Sequence, residues 1–223
     1  MPLMYYGYDP TFILVIISLF IGLYAQYKVH STFAKYSKVN SRRGYTGAEA
    51  ASRILSANGL DIPIERAQGV LTDHYDPRKK VLRLSQEVYN STSLSALGVA
   101  AHEAGHALQH ARGYVPITIR NSIAPIVGVS SQLALPLVLI GLIFSLTGLI
   151  WLGIWLFVGV IAFQLITLPV EFNASRRAIA SLESTGIVDP DEAVMSRKVL
   201  NAAALTYVAA TIAAILQLLR LLF

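Results

Sequence analysis

Residues Asn121 to Val170 read NSIAPIVGVSSQLALPLVLIGLIFSLTGLIWLGIWLFVGVIAFQLITLPV, fifty positions without one Asp, Glu, Lys or Arg. The hydrocarbon core of a bilayer is about 30 Å thick and takes about 20 residues of helix. Fifty such residues are two spans joined by a tight turn, which Thr147 and Gly148 place near Leu146 to Leu149. Outward from this stretch lie two more uncharged runs, Pro10 to Tyr27 (18 residues) and Val199 to Leu219 (21 residues). The sequence therefore predicts four transmembrane helices. A signal peptide opens on a basic segment, but Met1 to Asp9 holds no Lys or Arg. The first span accordingly reads as a retained anchor. Pro125 and Pro136 are expected to kink the second span and shape a cavity there. The alanines of the fourth, among them Ala202, Ala203, Ala209 and Ala213, suit close helix packing within one chain or between copies.

Composition agrees. Charged residues are 14% of the 223, against roughly 25% in an ordinary soluble domain. Apolar residues make up 54%, and the mean hydropathy is +0.55. This excludes a disordered chain and leaves too few polar groups to cover a soluble globule. There is no Cys, which excludes disulfides and thiolate chemistry, so a metal would have to be held by His and carboxylates. The net charge of +5 raises the question of nucleic acid, but the charges sit elsewhere than a nucleic-acid face would need. Thirteen of the 18 Lys and Arg fall between Lys28 and Arg120, four between Glu171 and Lys198, and only Arg220 lies beyond. With four spans both polar segments lie on one side. The positive-inside rule puts them in the cytosol and both termini outside, with Lys28, Lys35, Lys38, Arg42 and Arg43 as the main determinant and a lipid-facing cluster. The chain thus divides into an anchor (1–27), a cytosolic catalytic segment (28–120), a transmembrane hairpin (121–170), a cytosolic helix (171–198) and a last transmembrane helix (199–223). The predicted class is mainly α, a four-span membrane protein with a small β-hairpin or edge-strand region.

In the first polar segment, Thr46-Gly-Ala-Glu49 fits a capping box and predicts a helix over 46–58 with Gly59 as its stop. Val70 to Thr72 and Val81 to Leu84 read as short strands, with turn chemistry at Asp73 to Pro77 between them. A peptide could add to an edge of that region as an extra strand. A helix rich in Ala and Leu is predicted over 93–111. Within it stands His102-Glu-Ala-Gly-His106. On a helix, residues four apart face the same way, so the two imidazoles can chelate one ion. Glu103 is turned about 100° from His102, beside an ion and suited to act as a base on water. Catalytic zinc takes three protein ligands and keeps one open position. Three residues compete for the third place: Glu171 where the third span re-enters the polar segment after Pro169, His110 at the end of the same helix, and His74 on a turn. The helix beginning near Pro169 and Glu171 is expected to end at Gly186.

Several separated segments resemble one family. Thr72-Asp-His-Tyr-Asp-Pro77, Leu82-Arg-Leu-Ser85, Val99 to Gln109 around the two histidines, Pro169 to Arg177, and Ala203-Ala-Leu-Thr-Tyr207 look like the bacterial YugP-like membrane zinc metallopeptidases, the neutral zinc metallopeptidase family. HExxH, two spans and then a Glu is also similar to the HtpX-type and CAAX-protease-type membrane gluzincins. The resemblance implies a protein of the bacterial plasma membrane with one zinc per chain, His102, His106 and Glu171 as ligands, and Glu103 as base. The HtpX-type enzymes carry an acidic residue four positions after the ligand Glu, where this chain has Ser175. The group that orients a ligand imidazole must then be Asn173 or a residue elsewhere.

The expected activity is hydrolysis of peptide bonds in membrane or membrane-proximal proteins. Besides zinc, the oxyanion needs a second electrophile, for which Arg176, Arg177, His110 and Tyr207 are the candidates. Expected partners are peptide or membrane-protein substrates, the bilayer, and a second copy or a regulatory membrane protein, with no nucleic acid. The competing readings are a silent zinc-binding scaffold or a protease gated by a partner. A metal transporter would place ionisable ligands at mid-membrane, whereas the spans hold neutral polar groups such as Gln132 and Gln164.

Overall fold

Four long helices account for the uncharged runs of the sequence. The computed structural model describes residues 10–69 and 72–222. In chain order the elements are α1 (Phe12–Tyr36), α2 (Gly47–Ala57), β1 (Ile64–Ala67), β2 (His74–Asp76), β3 (Val81–Ser85), α3 (Gln86–Tyr89), α4 (Leu94–Ala111), α5 (Val115–Ile143), α6 (Thr147–Ser184) and α7 (Pro190–Leu222). Helices α1, α5, α6 and α7 are each long and apolar enough to cross a membrane. Their outer faces are apolar and bare: Phe20, Ile126, Ile143 and Trp155 are all exposed.

Two helices run further than the sequence divides them. α6 has 38 residues, about 57 Å at 1.5 Å per residue, nearly twice the hydrocarbon thickness. It passes unbroken through Pro169, although a helix start or kink is expected there. Proline in the interior removes one backbone donor, a loss that long apolar helices tolerate where neighbouring groups take up the freed carbonyl. α7 likewise runs on through Lys198 and Val199 as one helix of 33 residues. The α5–α6 turn falls at 144–146, with Ser145 at φ +55°, just ahead of the predicted position. It is tight because both helices use glycine at the crossing. A Cβ on Gly153 would stand 2.5 Å from the Ala134 carbonyl oxygen, and one on Gly141 would stand 2.8 Å from the Ile150 nitrogen.

The polar segment folds around α4. The capping box of α2 is formed: Thr46 Oγ1 accepts from the Glu49 N–H (3.3 Å), and Glu49 Oε2 accepts from the Thr46 N–H (2.8 Å). Gly59 follows the helix at φ +70°. The sheet has the order β1-β3-β2, with β1 parallel and β2 antiparallel to β3. β3 matches its predicted strand. The strand expected at 70–72 lies at Val70 and Leu71 outside the described residues. The segment 73–77, read as a turn, instead supplies β2. The turn lies at 77–80, where Asp76 Oδ1 accepts from the N–H groups of Arg78 and Lys79 (2.9 and 3.1 Å). Leu82 and Leu84 of β3, Ile54 and Leu55 of α2, Leu94 and Leu97 of α4, and Leu182 of α6 are fully or almost fully buried together. Each contributes about 1.5–3 kcal/mol by leaving water.

Candidate metal centre

α4 is rich in Ala and Gly, and this lets neighbouring backbones come close. A Cβ on Gly105 would meet the Ala174 carbonyl oxygen at 2.7 Å. Glycine inside the HExxH motif thus permits the contact between α4 and α6 that sets Glu171 against the histidines. Glu171 is itself carried to that level by the hairpin: 24 residues of α6 run from Thr147 to Val170, about 36 Å of helix, enough to cross the bilayer and return.

The ligand atoms of His102, His106 and Glu171 lie within 4.8 Å of one another. Glu171 Oε2 is 3.1 Å from His102 Nε2 and 3.6 Å from His106 Nε2. Its other oxygen, Oε1, accepts from Arg120 Nη1 at 3.0 Å. One carboxylate oxygen is held by a guanidinium and the other faces both imidazoles. Each imidazole has a second partner. His102 Nδ1 lies 3.1 Å from Ser175 Oγ, and His106 Nδ1 lies 3.0 Å from Gln109 Oε1. Gln109 is fully buried, and its Nε2 donates to the Val170 carbonyl (2.8 Å) and to Asn173 Oδ1 (3.0 Å). A carbonyl only accepts, so this bond fixes the amide's orientation and makes His106 Nδ1 the donor. A neutral His106 then turns its Nε2 lone pair toward a carboxylate oxygen. Two such groups repel unless a cation lies between them. Two imidazoles and a carboxylate, without thiolate, with the imidazoles oriented through their second nitrogens, form a donor set that fits zinc with an open position.

Glu103 stands beside this cluster, and its Oε2 accepts from the backbone N–H of Tyr75 at 3.0 Å. Asp73 positions that strand by accepting from the Ser85 N–H (2.7 Å) and Oγ (3.0 Å). Burial pushes the Glu103 carboxyl up to about 7, opposed by His102 and reinforced by Glu171 and Asp73. A cavity of about 380 Å³ opens over the cluster, lined by His102, Glu103, Glu171, Ser175, Leu200 and Tyr207 among others.

The remaining candidates are distributed as follows. Tyr207 lines the cavity with Glu103 and Glu171. His110 Nδ1 is 2.9 Å from the Tyr75 hydroxyl, and His110 is outside the ligand cluster. His74 is exposed, with Nδ1 2.7 Å from the Thr72 carbonyl oxygen, and is also outside the cluster. Arg177 Nε donates to Asn173 Oδ1 at 2.7 Å. Asn173 holds Gln109 and touches neither ligand imidazole directly. Arg176 lines an adjoining cavity of about 240 Å³, which shares Ser175 and Leu200 with the one over the cluster. The groove beside Pro125 is lined by Val129, Leu133 and Leu156 and shares no residue with the cavity over the cluster.

Four contributors escaped the sequence reading: Arg120, Gln109, Tyr75 and Ser175 as an imidazole partner. Two left a signal. Gln109 is three residues after His106 on the same helix face. Arg120 and Glu171 are the charges that flank the fifty-residue run, and a hairpin brings its ends together.

A family model described as "Putative neutral zinc metallopeptidase" matches residues 11–223. The chain is similar to a Bacillus subtilis protein named "Putative membrane protease YugP", with 51% identity over 208 residues, covering 93% of this chain and 92% of that one. No solved structure matches. With nearly its whole length matched, this chain belongs to the neutral zinc metallopeptidase family.

Proposed function

We propose that this chain is a gluzincin-like zinc endopeptidase of the plasma membrane, with its site facing the cytosol, cutting membrane or membrane-proximal proteins. The observation that carries the reading is the convergence of His102 Nε2 and His106 Nε2 on one oxygen of Glu171. His102, His106 and Glu171 would hold a zinc ion, which when bound would supply Lewis-acid chemistry and a more acidic water.

The chain's own groups divide the remaining work. Glu103 takes a proton from the attacking water and returns it to the leaving amine. Ser175 and Gln109 hold the imidazole planes, and Arg120 holds Glu171 turned so that its other oxygen faces them. Among the four residues considered for the oxyanion, Tyr207 is the one lining the cavity with Glu103 and Glu171, and its hydroxyl is the donor assigned here. The substrate backbone pairs with β2, an edge strand of the sheet whose Tyr75 N–H already points at Glu103.

The test is mass-spectrometric mapping of new peptide termini. Purified chain in detergent, with zinc, meets a mixture of unfolded peptides, beside a Glu103→Gln control. New termini from the wild type alone are expected. Identical peptide maps from both, each with one zinc per chain, would replace the enzyme reading with a zinc-binding scaffold.

A further inference from the structure

The largest of the described cavities, about 590 Å³, lies between α1 and α7 and is distinct from the metal centre. From α1 it is lined by Lys28, Ser31, Thr32 and Lys35; from α7 by Lys198 and Asn201. The spacing explains the groove. Residues 28, 31, 32 and 35 form one stripe of a helix, and so do 198, 201, 202 and 205. The two stripes face each other across one space.

Three observations define its ligand. First, it is cationic without compensation. No Asp or Glu lines it, and none of its three lysines joins an ion pair among the described residues. The same basic cluster contrasts in this respect: Arg42 and Arg43 bind Asp189 and Asp191 at the start of α7. Second, hydroxyls and an amide stand among the ammonium groups, the donor set that surrounds a phosphate. Third, the groove lies at the membrane boundary. Lys28 directly follows the uncharged run that ends at Tyr27, and Lys198 directly precedes the one that begins at Val199. Tyr27, directly before Lys28, and Tyr24, one turn deeper on α1, are 71% and 60% exposed, as aromatic residues are at the headgroup level.

We infer that this groove binds the phosphate headgroup of an anionic phospholipid, with its acyl chains along the apolar outer face of α1. Free phosphate shares the chemistry but not the depth, which favours the lipid.

The test is native mass spectrometry of the full zinc-loaded chain released from detergent. Phosphatidylglycerol is compared with phosphatidylcholine, and inorganic phosphate is the competitor. A groove variant, Lys28→Gln with Lys35→Gln and Lys198→Gln, is compared with a control, Arg78→Gln with Lys79→Gln and Lys80→Gln, which removes the same charge in the β2–β3 turn. The expected result is retention of phosphatidylglycerol over phosphatidylcholine by wild type and control. The groove variant should lose at least about tenfold of that preference, since each lysine near an anionic surface strengthens the attraction. Both variants should bind one zinc, showing that they are folded. Equal losses in the two variants would overturn the site in favour of diffuse charge. No lipid preference in the wild type, or displacement of the lipid by millimolar phosphate, would also overturn it.

Discussion

Glu171 has two partners of opposite kind, and its role depends on both. Arg120 takes Oε1 at 3.0 Å, and the two imidazoles face Oε2. Gln109 and Ser175 play the matching part for the histidines. Removing such an orienting partner costs about 10–100-fold in metal affinity. Gln109→Ala and Ser175→Ala should each weaken zinc binding by about that factor in a competition titration with a chromophoric chelator. Unchanged affinity in both would mean that these contacts do not orient ligands. Glu103 lies outside the ligand cluster. Glu103→Gln should therefore keep one zinc per chain while peptide turnover falls about 10²–10⁴-fold, the usual share of general acid–base catalysis. Loss of zinc in this variant would make Glu103 a ligand rather than a base. The chemistry of His102, Glu103 and His106 is legible in five letters of sequence because the i, i+4 relation is local. The imidazole partners are not, since Ser175 lies 73 residues from the histidine it meets, and only packing brings the two together.

At the scale of elements, the contact between α4 and α6 depends on a missing side chain. A Cβ at position 105 would sit 2.7 Å from a backbone oxygen that cannot swing aside, whereas one at Gly98 would meet nothing closer than 3.5 Å. Gly105→Ala should destabilise the fold by about 1–3 kcal/mol and weaken zinc binding. Gly98→Ala should do neither, as read by thermal unfolding with and without a chelator. Ion pairs join the segment after α1 to the start of α7. Hydrogen bonds from Arg43 and then Arg42 hold the exposed Asp189 carboxyl below the usual carboxylate range. A depressed folded-state pKa gives stability that is present above the unfolded value and lost as pH falls through the folded one. Amide exchange around Ser41 and Asp189 should therefore quicken below about pH 4, and Asp189→Asn should remove that pH dependence. Element types followed readily from the sequence where a pattern was local, as in the capping box of α2 and the strand at β3. β2 was read as a turn because Asp73 to Pro77 has turn composition. Its pairing with β3 and the bonds from Asp73 to Ser85 make it a strand. The continuation of α6 through Pro169 escaped for the same reason: a local breaker yields to a long helix packed on both sides of it.

Over the whole molecule, the four candidate spans were legible because a charge-free run of fifty residues is long enough for two apolar helices and a turn. The absence of Cys makes the orientation directly testable. Ser145→Cys, in the exposed α5–α6 turn, should react with a membrane-impermeant maleimide in intact cells. Lys79→Cys, in the β2–β3 turn, should react only after permeabilisation, and the reverse pattern would invert the topology. The return of the chain along α6 brings Glu171 back to α4, so that residues from α4 and α6 form one candidate metal site. X-ray absorption at the zinc edge of the full chain tests this most directly. The predicted spectrum has two imidazole nitrogens at about 2.0–2.1 Å and oxygen at about 2.0–2.2 Å, with Glu171→Ala losing zinc under dialysis that leaves the wild type loaded. A Glu171→Ala protein that kept one zinc with an unchanged spectrum would contradict it.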